Sequence, residues 1–572
     1  KDYLSYIFVC AISCLTTYLV KNIFKINTFT TKECILSSVL IAVGMVSCRV
    51  IIRMLIIETI PSEKKGTDPV IVKRLLIIGK SARDIIKAIR EGLKNTYYIV
   101  GLVDDNPEKW NYSISGVKIL GNRDKIKEIC RNYNVQEIFF SITNISAENK
   151  RALLQICQDT NAKIRILPST EDIIKNKNVL DSLKDVEIED LLGREPIKLD
   201  NNNIESLIKG HSILVTGGGG SIGSELCRQI ASFNPELLII FDIYENNLYN
   251  IELELRAKYP NLNIKGIIGS VRDKKKLEDV FSKYKPYLVF HAAAHKHVPL
   301  MEVSPLEAIK NNVLGTQNVA DCADKFGTKR FILISTDKAV NPTNIMGASK
   351  RMCEMVIQAK NKTSKTEYAA VRFGNVLGSN GSVVPLFKKQ IKEGGPVTVT
   401  HKDITRFFMT IPEAVGLVLQ AMTYAKGGEI FVLDMGEPVK IYDLAVSLIK
   451  LSGLQPDIDI PIEITGLRPG EKLYEELLMS EEGLEHTKHN KIFVAEPLDI
   501  PAEEVRKRVE MLREFVQTED HTMAEIKRIV KKAVPTFVEA EEKNKKIINY
   551  KQELEKIEAR QMQEHELMPK EA

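Results

Sequence analysis

An apolar run, Ile213–Val215, ends in Thr216-Gly217-Gly218-Gly219-Gly220-Ser221-Ile222-Gly223 and leads straight into the helix-like Glu225–Ala231. No other segment of this chain leaves so few folds open. A strand that turns this sharply into a helix needs glycine where the backbone leaves the region open to other residues. It also needs glycine where helix and strand approach too closely for a Cβ. The amides at such a helix N-terminus, here around Ser221 and Ile222, hold a pyrophosphate. Gly217, Gly220, Ser221, Ile222 and Gly223 are therefore candidates for binding a dinucleotide. Asp242 closes the next apolar run about 20 residues on, where a carboxylate accepts hydrogen bonds from ribose hydroxyls. Its charge repels a 2′-phosphate, so the expected cofactor is NAD; read alone, Asp242 equally suits a helix cap. Asp273, in Gly269-Ser-Val-Arg-Asp273, is a further candidate beside the adenine. Ala292 and Ala293, in His291-Ala-Ala-Ala294, are small enough to let a cofactor close to the backbone.

Four near-continuous apolar runs, Ile213–Val215, Leu237–Phe241, Leu288–Phe290 and Phe331–Ile334, have the character of parallel strands buried on both faces. They predict an α/β fold, a Rossmann-type doubly wound parallel sheet over residues 207–500. A weaker repeat of strands and helices (Lys73–Gly79, Asp84–Gly92, Tyr97–Asp104, Glu137–Phe140) predicts a smaller, degenerate Rossmann-like domain over 70–200. Its first turn, Gly79-Lys-Ser-Ala-Arg-Asp84, has a single glycine, so a structural or regulatory role is expected there. Before the polar linker Pro61–Asp68, Tyr3–Val20 carries no charge, and Ile35–Cys48 continues through Arg49 and Arg53 to Ile60. These lengths predict transmembrane helices over 1–60, with a buried helical hairpin as the alternative. The chain opens on Lys1, so further residues are expected upstream. Residues 501–572 carry dense mixed charge and predict a helical tail, read as a solvated appendage with an oligomerising or regulatory role.

The 80 basic and 75 acidic residues are interleaved, which gives no patch for nucleic acid. The nine cysteines show no ligand-like spacing and read as reduced thiols. His295 and His297 share a loop with no Cys or Asp partner, so no metal site is expected.

Several further segments carry a resemblance. They are His291-Ala-Ala-Ala-His-Lys-His-Val-Pro299, Asn311-Asn-Val-Leu-Gly-Thr316, Ser335-Thr-Asp-Lys338, Met346-Gly-Ala-Ser-Lys350, Arg372-Phe-Gly-Asn375 and Leu467-Arg-Pro-Gly-Glu-Lys472. With Thr216–Gly223 they span roughly 210–480. Here the chain resembles an extended short-chain dehydrogenase/reductase. More narrowly, it is similar to the membrane-bound UDP-N-acetylglucosamine 4,6-dehydratases of bacterial polysaccharide and glycoprotein biosynthesis.

The resemblance implies a lyase that oxidises C4, eliminates water across C5–C6 and returns the hydride to C6. Thr336, Asp337, Lys338, Met346 and Lys350 become the catalytic candidates. Asp337 and Lys338, adjacent at a strand end, are read as acid and base, with burial and cationic neighbours lowering the lysine pKa; a plain salt-bridged strand end is the alternative. Lys350 lies one helical turn from Met346, on the same face, and by resemblance binds the nicotinamide ribose. Met346 stands where soluble relatives keep a tyrosine. Thr336, Lys350 or a relayed water then deprotonates the C4 hydroxyl. Asn375 and Arg406 match diphosphate-binding positions, Arg468 and Glu471 the nucleotide end, and Lys296 a substrate contact. The implied substrate is UDP-N-acetylglucosamine, with C5 configuration retained. The implied setting is the inner bacterial membrane, with the catalytic domain in the cytoplasm. A homo-oligomer, and an aminotransferase or reductase acting next, are the implied partners. A C4-epimerase, a C5-inverting dehydratase and an inactive nucleotide-binding scaffold remain the alternatives.

Overall fold

The computed structural model describes residues 72–548, with breaks at 80–81, 93–95, 111, 141–145, 161, 167–183, 187–189, 191–196, 478–482, 496–499 and 519, together with Gly44. The expected transmembrane helices lie outside the described residues. No helix among the described residues is long and apolar enough to cross a membrane.

The main sheet has nine strands: β1 (Ser212–Thr216), β2 (Leu237–Asp242), β3 (Ile264–Ile268), β4 (Leu288–His291), β5 (Arg330–Ile334), β6 (Glu367–Arg372), β7 (Ile430–Leu433), β8 (Leu484–His486) and β9 (Ile492–Ala495). Their order is β3-β2-β1-β4-β5-β6-β7-β9-β8. The first seven are parallel; β9 runs against them, and β8 pairs antiparallel with β9 at the edge. The expected doubly wound sheet is thus present, with an antiparallel edge.

The apolar runs are continuous because alternate residues feed two different cores. Ile213 and Val215 face one layer, with Leu226 and Ile230 of α1 (Ser221–Ser232) and Leu248 and Leu255 of α2 (Glu245–Lys258). Leu214 faces the other, with Leu277 and Phe281 of α3 (Lys274–Tyr284), Val319 of α4 (Gly315–Lys325), and Cys353 and Ile357 of α5 (Ile345–Asn361). Strand order reverses between β1 and β4, and a crevice opens there beyond the strands' carboxyl ends. Leu377, Phe387 of α6 (Val383–Lys392), Val399, Phe408 and Leu444 form a separate core beside it, which builds the far wall of the site.

The smaller α/β domain is also present. Lys73–Ile78 lies between Tyr97–Val103 and Glu137–Phe140, all parallel. It does not stand apart: Leu451, the last residue of α7 (Ile441–Leu451), joins its core.

The tail corrects an expectation. Helices α8 (Ala502–Phe515) and α9 (Met523–Ala533) are no solvated appendage. Val505, Val509, Leu512, Ile526 and Val530 are buried against Ile345, Met352, Met355 and Val356 of α5. Each such aliphatic side chain contributes roughly 1.5–3 kcal/mol when fully buried. The dense charge of these helices lies on the faces that remain in water.

Candidate active site

The glycine turn after β1 has the geometry its spacing predicts. Gly217 adopts φ +69°, and a Cβ there would lie 2.6 Å from the amide nitrogen of Ala293. A Cβ on Gly223 would lie 2.0 Å from the Gly217 carbonyl oxygen. Strand, helix and the Ala292–Ala293 backbone therefore close on one another, as a dinucleotide cradle requires. The Gly219 and Tyr244 amides donate to the two carboxylate oxygens of Asp242, both at 2.8 Å. The carboxylate so held forms the wall of a cavity of about 230 Å³, shared with Gly217, Ser270, Ala292, Ala293 and Asn311. These residues fit a dinucleotide, with Asp242 placed for ribose hydroxyls.

Asp273 is not among the residues lining either cavity described here. Its carboxylate caps α3, accepting from the Lys276 amide at 3.0 Å, and Ser270 and Val271 face the cavity instead. An aspartate that opens a helix satisfies an orphan amide first.

A second cavity, about 570 Å³, shares Gly217, Gly220 and Ala292 with the first and gathers most of the remaining candidates. Ser221, Ile222 and Gly223 lie at its cofactor end; Thr336, Lys338, Met346 and Lys350 line its middle. Lys296, Asn375, Arg406, Arg468 and Glu471 complete the lining.

Asp337 is fully buried behind this wall. Its Oδ1 accepts from the Thr336 hydroxyl at 2.8 Å and from Lys338 Nζ at 3.0 Å. Its Oδ2 has no hydrogen-bond partner among the described residues and would lie 3.2 Å from a Cβ on Gly374. Lys338 also donates to Asn375 Oδ1 at 3.0 Å and lies 3.6 Å from Glu475 Oε1. Burial pulls its pKa down, but Asp337 and Glu475 more than offset that, so the amine titrates above its usual value. The expected depression of the Lys338 pKa is thus corrected: two carboxylates outweigh burial.

Lys350 is buried, with no hydrogen-bond partner among the described residues. Burial lowers its pKa, while Cys353 and Glu354 pull the other way. Met346, 3% exposed, sits between the cavity and the apolar layer shared with the tail. Arg406 has already committed its fork: it donates to the carbonyls of Thr405 at 2.7 Å and Lys472 at 2.9 Å. It offers a diphosphate fixed charge more than a free bidentate pair. Arg468 is exposed, and its guanidinium has no protein acceptor among the described residues.

Several supporting residues escaped sequence reasoning. Glu354 accepts from Ser335 at 2.6 Å, from Arg372 at 2.7 and 2.8 Å, and from Arg351 at 2.9 Å, all buried beneath the end of β5. Burial alone would raise its pKa, yet Arg372 and Arg351 hold it at about 2. His291 is held by Thr216 and Thr316 at 2.7 and 3.0 Å; burial, with Lys350 adding to it, drives its pKa down to about 3. Asn312 pins the loop after β4 by bonding both the amide and the carbonyl of His295. The motifs around Arg372 and Asn312 were visible in sequence, but their buried partners come from other elements. No group of histidine, cysteine, aspartate or glutamate suited to a metal occurs among the described residues.

A glycine cradle at a strand-order switch, joined to a pocket holding an Asp–Lys pair and a buried lysine one turn along α5, defines an α/β protein with a doubly wound parallel sheet whose cradle fits a dinucleotide. The chain belongs to the polysaccharide biosynthesis protein family, whose model matches residues 213–497. A coenzyme A-binding domain model matches residues 3–168. The probable polysaccharide biosynthesis protein EpsC of Bacillus subtilis is 50% identical over 67% of this chain, and the match spans 64% of that relative's length. A UDP-N-acetylglucosamine 4,6-dehydratase (inverting) of Campylobacter jejuni is 37% identical over 47% of this chain and 78% of its own. A UDP-glucose 4-epimerase of Rickettsia canadensis is 37% identical over the same shares.

Proposed function

We propose that the chain is an NAD-dependent UDP-N-acetylglucosamine 4,6-dehydratase that forms the UDP-4-keto-6-deoxy-N-acetyl sugar. The observation that carries this reading is the Asp337–Lys338 pair, 3.0 Å apart, with Lys338 on the wall of a pocket that runs into the cofactor cradle. Gly217, Gly223, Asp242 and Lys350 would hold NAD there, and it would supply the hydride acceptor for C4 and the donor for C6. The chain's own residues do the rest.

Lys350 orients the nicotinamide ribose. Met346 has no proton to give or take, so the C4 hydroxyl proton leaves through Thr336, Lys350 or a bound water. Asp337 and Lys338 share one proton. With that proton moved from Nζ to Asp337 Oδ1, the Lys338 amine is free to take the C5 proton. The hydroxyl at C6 then leaves as water with the proton that Asp337 held. Asp337 reaches the pocket only through the two groups bonded to its Oδ1, Thr336 and Lys338. The fixed charge of Arg406 suits a diphosphate at the other end, and the exposed guanidinium of Arg468 the nucleotide beyond it.

An epimerase is the second reading, favoured by the Rickettsia relative. It returns the hydride to C4 and gives Asp337 and Lys338 no work, which is why dehydration is preferred. Retention at C5 rests on Met346 and its resemblance to the membrane-bound branch. We further propose attachment to the inner membrane through residues 1–60, with the catalytic domain in the cytoplasm where nucleotide sugars are made.

Incubating the full chain with UDP-N-acetylglucosamine and NAD tests the reading by mass spectrometry. A product lighter by one water supports the dehydratase. A product of unchanged mass with inverted C4 supports the epimerase, and no product with dinucleotide still bound supports the scaffold.

A further inference from the structure

Glu475 belongs to no motif with an assigned role, yet it reaches the reacting pair. Its side chain is 3% exposed, with Oε1 3.6 Å from Lys338 Nζ and 3.8 Å from Arg406 Nε. Its Oε2 is buried without a hydrogen-bond partner among the described residues. A carboxylate in such a place is costly unless cations hold it, and Lys338, Arg406 and Lys472 are the cations that face it. Lys338 Nζ donates to two acceptors, Asp337 Oδ1 and Asn375 Oδ1, both at 3.0 Å, and a second carboxylate oxygen, Glu475 Oε1, stands at ion-pair distance, 3.6 Å. An ammonium has three N–H donors and a neutral amine two.

We propose that Glu475 is a positioning residue for Lys338, its carboxylate the second negative charge that holds the nitrogen on the pocket wall as an ammonium. The inference rests on Lys338 carrying a proton in the proposed dehydration. The charged groups facing Lys338 are Asp337 and Glu475 on one side of the balance and Arg406 on the other. Releasing a proton from Nζ to Asp337 Oδ1 gives up the attraction of Glu475. Glu475 therefore sets how readily the amine becomes a base, without touching the sugar: it is not among the residues that line the pocket.

The test uses the full chain and needs no turnover. Competitive acetylation of Lys338 across a pH series, read by mass spectrometry of its peptide, gives the midpoint at which the amine becomes reactive. Glu475→Gln is expected to lower that midpoint by roughly one pH unit, a tenfold gain in free amine at a given pH. Glu475→Asp, which keeps the charge on a shorter arm, should fall between wild type and Gln, and it carries the test if the Gln variant melts early. A midpoint equal to wild type in the folded variants overturns the proposal. In turnover, the falling limb of kcat against pH, where the proton shared by Asp337 and Lys338 is lost, should move down with the labelling midpoint while KM for the nucleotide sugar holds. A merely structural role would lower activity at every pH without moving the limb. Failure of the wild type to make a dehydrated sugar would instead strike at the proposed function and leave the labelling result readable.

Discussion

Lys338 lies 3.0 Å from one carboxylate and 3.6 Å from another, and that geometry decides what it can do. In the resting protein it is an ammonium, and it becomes a base only by passing a proton to Asp337. Lys338→Ala should lower dehydration by about 10²–10⁴-fold, the usual worth of a positioned acid or base, with dinucleotide binding retained. Gly223 makes a separate demand. Gly223→Ala places a Cβ 2.0 Å from the Gly217 carbonyl oxygen. That overpacking should cost about 1–3 kcal/mol, seen as a lower Tm and as less dinucleotide in the purified protein. The cradle was legible in sequence because its glycines are neighbours and each answers to a local constraint. Asp273 misled because a carboxylate one residue ahead of a helix looks the same whether it faces a ligand or caps the turn. Glu475 and Glu354 were illegible because Lys338 and Arg406 for the one, and Arg372 for the other, arrive from distant elements, and spacing along the chain does not encode that.

Helix α5 joins the chemistry to the tail. Its pocket face presents Met346 and Lys350, and its other face is buried under Val505, Val509 and Leu512 of α8. Charge density hid this in the sequence: Ala502–Phe515 reads as solvated until one counts the three aliphatic residues on its inner stripe. Beyond α9 the chain returns to the site. The Asn544 side chain accepts from the Leu473 amide at 3.1 Å and donates to the Glu471 carbonyl at 2.9 Å. Both lie on the turn that carries Glu471 and Glu475. Lys543 adds an ion pair to Glu476 at 2.7 Å. Asn544→Ala leaves a buried amide and carbonyl unpaired, at about 1–3 kcal/mol. The expected result in steady-state kinetics is a KM for the UDP-sugar raised by several-fold or more, with kcat close to wild type.

The unit from Val72 onward is compact, and its buried polar groups make its stability depend on acid. Unfolded His291 takes up a proton near 6.5 but the folded imidazole only near 3, so stability falls as pH drops between those values. Folded Glu354 resists protonation down to about 2 against an ordinary 4.5. Its contribution is therefore complete above about 4.5 and is lost as pH falls toward 2. Thermal melts from about pH 8 to about pH 3 should show Tm nearly flat at the top and falling steadily below about 6.5. A Tm that held constant across that range would contradict the assignment of buried neutral His291. The smaller α/β domain shares in this unit through Leu451 and through the Lys450–Asp159 pair at 3.4 Å, on the same helix α7 whose first residue, Ile441, lines the pocket. The two sheets were readable from repeating apolar runs; the contacts of Leu451 and Lys450 with the smaller one were not, since they join residues far apart along the chain, 291 positions for Lys450 and Asp159.

Proton NMR of the full chain turning over UDP-N-acetylglucosamine in D2O decides the matter. The proposed chemistry predicts a new C6 methyl signal with deuterium at C5, absent in Asp337→Asn and in Lys338→Ala. A sugar that keeps its C6 hydroxymethyl group and changes only at C4, or a methyl product formed by Lys338→Ala at the wild-type rate, would contradict it.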